Sequence, residues 1–166
     1  MTNQFSIRPA KAPDLPLILE IYEHARRFMR ETGNPTQWSG GHPAPRLLQS
    51  DIEKGDLYVL TDAGEIAGVF ALIFGEDPTY RYIENGSWLS GDPYATIHRI
   101  ASSGKRHGIL EAAAGFALSK IPHLRIDTHE DNAVMQHLLL KLGFSRRGII
   151  YLENGDPRVA FEKLGA

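Results

Sequence analysis

The sequence predicts an α/β fold, a mixed sheet with helices on both faces, on three observations. From residue 96 to residue 143, apolar runs and helical periodicities alternate as strand, helix, strand, helix, the order that sets two strands side by side in parallel. LYVLTD and EIAGVFALIFG flank the turn residues Asp62, Ala63 and Gly64 and read as an antiparallel hairpin. The tail FSRRGIIYLENGDPRVAFEKL places two more strands around ENGDP.

In chain order, FSIRPA alternates apolar and polar side chains before a proline, giving a first strand at about residues 4 to 9. Asp14 opens a helix whose apolar positions Leu15, Ile18, Leu19, Tyr22, Ala25 and Met29 recur every three or four residues until GNP at 33–35. Leu47, Leu48 and Ile52 predict a shorter helix at about 44 to 54, closed by Gly55 in a left-handed conformation. After the hairpin, a connection with little periodicity runs from Gly75 to residue 93 and carries Tyr80, Tyr82, Ile83 and Trp88. Connections of that length are commonly functional. TIHRIA is the next strand, and ILEAAAGFALSKI the next helix, with Leu110, Ala113, Ala114, Ala117 and Leu118 inward. HLRIDTH follows as a strand. NAVMQHLLLKLG then forms a helix with Val134, Met135, Leu138 and Leu142 inward and Gly143 closing it.

At 166 residues the chain has room for one core and one domain. Its 42% apolar and 23% charged residues suit a soluble globular domain, and no apolar stretch reaches the length of a membrane span. The start, MTNQFSIRPAKAP, lacks a basic segment followed by an apolar one, which makes the cytoplasm the expected location. The absence of cysteine removes disulfides, thiolate metal sites and a cysteine nucleophile together. A net charge of −2 with scattered basic residues argues against nucleic acid as a partner.

The stretch IHRIASSGKRHGIL is a strand that stops in a small basic loop and restarts as a helix. A helix N-terminus presents unpaired amides and partial positive charge, so a loop feeding one suits an anion. Gly104 and Gly108 permit close backbone approach, while Lys105, Arg106 and His107 supply cationic donors for phosphate oxygens. The same residues are equally consistent with a plain glycine turn carrying solvated cations. The nucleotide-binding pattern GxxxxGK[ST] is absent.

Taken together with the strand and helix C-terminal to it, this loop resembles the pyrophosphate loop of the GNAT superfamily of acetyl-CoA-dependent N-acetyltransferases. IRPAKAPDLPLILEIY is similar to the family's opening strand and helix, and THEDNAVMQHLLLKLGFSRRGIIY to its closing motif, so the resemblance spans nearly the whole chain. It implies a mostly antiparallel mixed sheet with a central splayed parallel pair, acetyl-CoA as cosubstrate and no metal. It further implies that Ile100 and Ser102 offer backbone groups to the pantetheine arm, that residues 104 to 109, from Gly104 to Ile109, cradle the pyrophosphate, and that Asn132 reaches the cofactor. Asn132 is also a favoured helix cap in its own right. The family loop reads Q/RxxGxG/A, and here Ser103 stands at the Q/R position and Arg106 at the first glycine. Leu139 stands where many relatives carry a tyrosine that protonates the departing thiolate, which leaves Tyr151 as a substitute acid or as an ordinary interfacial tyrosine.

Acetyl transfer to an amine needs a base near the thioester. His98, two residues before Ile100 on the same strand face, stands where relatives place a glutamate, and imidazole titrates in the useful range. A hydrogen-bonded structural histidine is the alternative. Asp127, His129 and Asp131 alternate along a strand end, but a strand end with a helix cap accounts for them more simply than a metal. Trp38, Tyr80, Tyr82 and Trp88 are the candidate walls of an acceptor pocket, and equally core or homodimer contacts. The expected activity is transfer of acetyl to a primary amine of a small molecule, without nucleic acid or membrane. A non-catalytic CoA-binding or ligand-sensing domain is the competing reading, motivated by the altered loop and by Leu139.

Overall fold

A computed structural model of the protein describes residues 5–165. Strands β1 (Ser6–Pro9), β2 (Leu57–Asp62), β3 (Glu65–Phe74), β4 (Ala95–Ser102), β5 (His123–Thr128), β6 (Ser145–Tyr151) and β7 (Pro157–Leu164) form one sheet in the order β1-β2-β3-β4-β5-β7-β6. All neighbours are antiparallel except β4 and β5. The expected start of the first strand at residue 4 lies outside the described residues. Helices α1 (Leu15–Glu31) and α2 (Pro45–Lys54) cover one face, and α3 (Ile109–Leu118) and α4 (Ala133–Lys141) the other.

Each face has its own core. Ile18, Ile21, Tyr22 and Ala25 of α1 pack with Leu48 of α2 on Val59, Val69, Ala71 and Ala101. The alanines of α3 let that helix lie close against Leu60, Phe70, Leu72, Ile97, Leu124 and Ile126. Burial of this apolar area is the main favourable term for a fold of this size. The β2–β3 turn holds Ala63 and Gly64 at φ of 52° and 83°, the pair of positive angles a tight hairpin turn takes. Gly55 ends α2 at φ 76°, as expected.

Helix α4 differs from expectation. Leu139 is its buried residue, with Met135 and Leu142 packed beside it, whereas Val134 and Leu138 are exposed. Apolar residues occupy two adjacent stripes of this helix, and periodicity alone does not distinguish them; the stripe 135, 139, 142 is the one that meets the sheet.

The connection between β3 and β4 is ordered by a buried polar cluster. Glu162 accepts from the Leu89 amide at 2.6 Å and from His123 at 2.5 Å, and Arg125 donates to the Ser90 carbonyl at 2.6 Å. The Arg125 guanidinium lies 4.1 Å from the ring centres of both Trp88 and Tyr94, a cation sandwich. Glu84 pairs in both directions with Ile149, at 2.8 Å each way, and so covers the outer edge of β6.

Candidate active site

β4 and β5 pair at Ala95 with Leu124 and at Thr96 with Arg125, and nowhere further along. Beyond these pairs the two strands part, leaving their facing backbone groups without a ladder. At the apex the hydroxyl of Thr96 is buried with no hydrogen-bond partner among the described residues. Just past it, Arg99 and Ile100 of β4 together oppose Phe70 of β3, between the pairs Ala71–His98 and Val69–Ala101. This bulge holds Arg99 at φ 53°, a conformation that costs energy in a non-glycine residue and persists only where its surroundings enforce it. The enforcing contacts come from the helices: Tyr22 donates to the Arg99 carbonyl at 2.7 Å, and Asp51 of α2 holds the guanidinium at 3.0 Å.

The bulge corrects one expectation. Strict alternation puts His98 and Ile100 on the same face, but the extra residue reverses the strand between them. Ile100 packs into the α3 core, and His98, opposite Ala71, faces the α1 side.

On that face His98 donates from Nε2 to Oδ2 of Asp77 at 3.1 Å. The other Asp77 oxygen accepts from the Thr79 amide at 2.9 Å and hydroxyl at 2.7 Å. Burial opposes ionisation of Asp77, but these bonds outweigh it and hold the carboxyl down at about 2. With Nε2 protonated toward a carboxylate, the free lone pair of the imidazole is on Nδ1. Asp127 lies across the split and accepts the Tyr80 hydroxyl at 2.6 Å; burial pushes its carboxyl up, and His98 acts against that.

The loop after β4 has the form expected of an anion cradle. Gly104 and Gly108 adopt φ of 83° and 86°. The first backbone bond of α3 runs from the Ala112 amide to the Gly108 carbonyl at 3.0 Å, so the amides of Ile109, Leu110 and Glu111 precede it and point out of the helix end. A side chain at Gly104 is strained by its positive φ, and a Cβ there would meet the imidazole of His24 of α1, which would have to swing aside. Ser102 and Ser103 accept from the Gly104 and Lys105 amides at 3.0 and 3.3 Å. Lys105 and His107 are exposed. Arg106 is used differently: its guanidinium donates to Asp62 at 2.8 Å and approaches Glu65 at 3.7 Å, tying the loop to the β2–β3 hairpin.

Asn132 caps α4, accepting from the Met135 amide at 3.0 Å, and also donates to Gln37 at 3.1 Å. Gln37 accepts from Asn34 as well, at 2.8 Å, and Thr36 bonds His129 at 3.2 Å. The segment after α1 is thereby strapped to the β5–α4 junction. Of the expected pocket residues, Trp38 packs edge-on to Tyr22 and borders a cavity of about 300 Å³ with Glu23, Arg26, Arg30 and Asn34. Tyr80 is buried beneath the split with Tyr94, Ile150 and Ala160, and Trp88 packs against that group. Tyr82 is exposed and stacks on Tyr151. The Tyr151 hydroxyl donates to Glu84 at 2.7 Å, which pushes its pKa up. Alternation directs Tyr151 away from the face on which its neighbour Ile150 meets Tyr80. The structure thus groups His98 with Tyr80 and leaves Tyr82 and Tyr151 apart.

Sequence reasoning missed Asp77, His24, Tyr22 and Gln37 as parts of this region, and singled out Asp127 in another role. In the sequence Asp127 is weighed as a metal ligand beside His129 and Asp131, and a strand end with a helix cap is preferred. Among the described residues no group of three His, Cys, Asp or Glu side chains is arranged to hold a metal ion, and no helix is long and apolar enough to cross a membrane.

The chain is similar to a GNAT family acetyltransferase from Streptococcus agalactiae, with 31% identity over 98% of this chain and 96% of that one and a TM-score of 0.89. A GNAT family acetyltransferase from Listeria monocytogenes is 25% identical over 96% and 94% of the two chains, with a TM-score of 0.70. One from Bacillus cereus shares the fold at 19% identity, covering 99% of each chain, with a TM-score of 0.62. No family model and no curated protein sequence matches the chain.

Proposed function

The chain belongs to the GNAT family of acetyltransferases, and from that premise we propose that it transfers the acetyl group of acetyl-CoA directly to a primary amine of a small molecule. The observation that carries this reading is a protonation-ready imidazole on a carboxylate, His98 on Asp77, set beside the strand split and on the strand that feeds the anion loop. A relative that aligns over 98% of the chain supports treating residues 1–166 as one catalytic domain.

The residues present fit acetyl-CoA. The open β4 edge at Ile100 and Ser102 can pair with the amide groups of a pantetheine arm. The amides of residues 106 to 109, with Gly104 and Gly108 allowing close approach, can meet a diphosphate. Lys105 and His107 can add donors, and Asn132, which caps α4 and bonds Gln37, is the contact assigned to that helix. Bound there, acetyl-CoA supplies an activated acyl group.

The chain's own part is positioning and proton transfer. An amine arrives as ammonium, and Nδ1 of His98 takes one proton, while Asp77 stabilises the imidazolium that results. The free amine then forms the C–N bond as the C–S bond breaks, and the second N–H proton ends on the CoA thiol. His98 returns its proton to solvent. A ligand-sensing domain has no need of a fixed imidazole tautomer, so the His98–Asp77 pair favours the enzyme. The test is thiol release from acetyl-CoA across a panel of amines: amine-dependent release is expected, and binding of acetyl-CoA without release from any amine would assign a sensing role.

A further inference from the structure

Three side chains line up across the α1 face of the sheet at the open end of the split. His98 and Asp127 each stand two residues beyond the last β4–β5 pair, Thr96 with Arg125, and so face each other over the gap. On the next strand Asp127 pairs with Ala160, and Arg158 lies two residues from Ala160 on the same face. Arg158 is 7% exposed, yet its one hydrogen bond among the described residues runs from Nη1 to the carbonyl of its own neighbour Pro157, at 2.9 Å. Burial raises the Asp127 carboxyl and lowers the His42 imidazole; the charge of Arg158 acts against the first shift and adds to the second.

A buried guanidinium with no carboxylate paired to it is costly. Its planar fork is matched to one kind of partner, a carboxylate or similar oxyanion. Asp127 has the complementary vacancy: Oδ2 accepts from Tyr80, and no partner for Oδ1 is found among the described residues. A base, a cation-binding oxygen and an anion-binding fork therefore stand in one row, in the order His98, Asp127, Arg158.

We propose that the acceptor is a zwitterionic amino acid, its carboxylate paired with Arg158 and its ammonium held by Asp127 beside His98. This deepens the acetyltransferase reading and rests on it. Uncharged and polycationic amines lack the group that neutralises Arg158, so the site discriminates against them.

The test compares amino acids with their decarboxylated amines as acceptors, read by CoA release, in the wild type, Arg158→Met and Arg158→Lys. Acetyl-CoA titration and thermal melting run alongside for each. The wild type is expected to prefer each amino acid it uses over its decarboxylated amine by about 100-fold in kcat/KM. Arg158→Met should lose most of that preference while binding acetyl-CoA as before, and Arg158→Lys should keep part of it. Equal use of amine and amino acid by the wild type overturns the proposal, as does a loss in Arg158→Met that falls equally on both. Failure to use any amino acid while acetyl-CoA binds also overturns it. Failure to bind acetyl-CoA at all overturns the acetyltransferase reading instead.

Discussion

His98 and Asp77 form a 3.1 Å hydrogen bond between the middle of one strand and the start of the long connection that precedes it. Twenty-one residues separate them; unbroken pairing of β4 with β3 from Ala95 to His98 sets the imidazole on the face where Asp77 waits, and the bulge at Arg99 turns Ile100 to the opposite face. The pair sets the tautomer of His98 and so decides which nitrogen is left to accept a proton.

Replacing His98 by alanine should therefore lower kcat by about 100-fold or more, within the range for loss of a general base. Acetyl-CoA affinity should stay within a few-fold. Asp77→Asn keeps the shape but removes the charge, and a smaller loss in kcat with a displaced acidic limb of the pH–rate profile is expected. Steady-state kinetics over pH, beside calorimetry, measures both.

Asp77 also makes a stability prediction. Its folded pKa of about 2 lies below the ordinary value of 3.8, so the unfolded chain binds the proton more readily. Its contribution is complete above about pH 5 and is lost as pH falls through about 2, amounting to about 1–2 kcal/mol after allowance for its partial exposure. Acid titration of the wild type against Asp77→Asn, followed by urea melts, should show the variant losing less stability over that interval.

Gly104→Ala should cost about 1 kcal/mol from the positive φ alone and displace His24, whose ring occupies the space. Acetyl-CoA affinity is expected to fall with it. In a His24→Ala background the crowding is gone and the same change should cost less, so a double-mutant cycle in stability and affinity isolates the contact.

Much of the frame was legible because it rests on local signals. Alternation, helical spacing and the glycines at 55, 64, 104, 108 and 143 marked the elements, and the glycine loop between β4 and α3 followed from one strand feeding one helix. What was not legible depends on register. The bulge that separates the faces of His98 and Ile100 has no sequence marker, since Arg99 is a residue type that seldom takes positive φ. Asp77, Asp127 and Arg158 come from three separate elements and meet only once the sheet order is known. In α4 both candidate stripes are apolar, so Leu139 and Leu138 were indistinguishable before packing.

Arg106 and Lys105 separate two roles that their sequence positions share. Because Arg106 is spent on Asp62 and Glu65, Arg106→Ala should loosen the hairpin slightly, as the loss of a solvent-screened pair does, and weaken acetyl-CoA modestly. Lys105 is exposed and makes no ion pair among the described residues, leaving its charge for a phosphate, so Lys105→Ala should weaken binding more and flatten its salt dependence. Calorimetry at two ionic strengths distinguishes them; a larger loss in Arg106→Ala would show that the guanidinium leaves Asp62 for the ligand.

The split between β4 and β5, with the loop at 103–108, is the proposed seat of acetyl-CoA. Calorimetric titration of the intact protein with acetyl-CoA tests it most directly. One molecule bound per chain, with affinity reduced in Gly104→Ala and kept in His98→Ala, is the predicted result. No heat and no thermal shift at millimolar acetyl-CoA would contradict it.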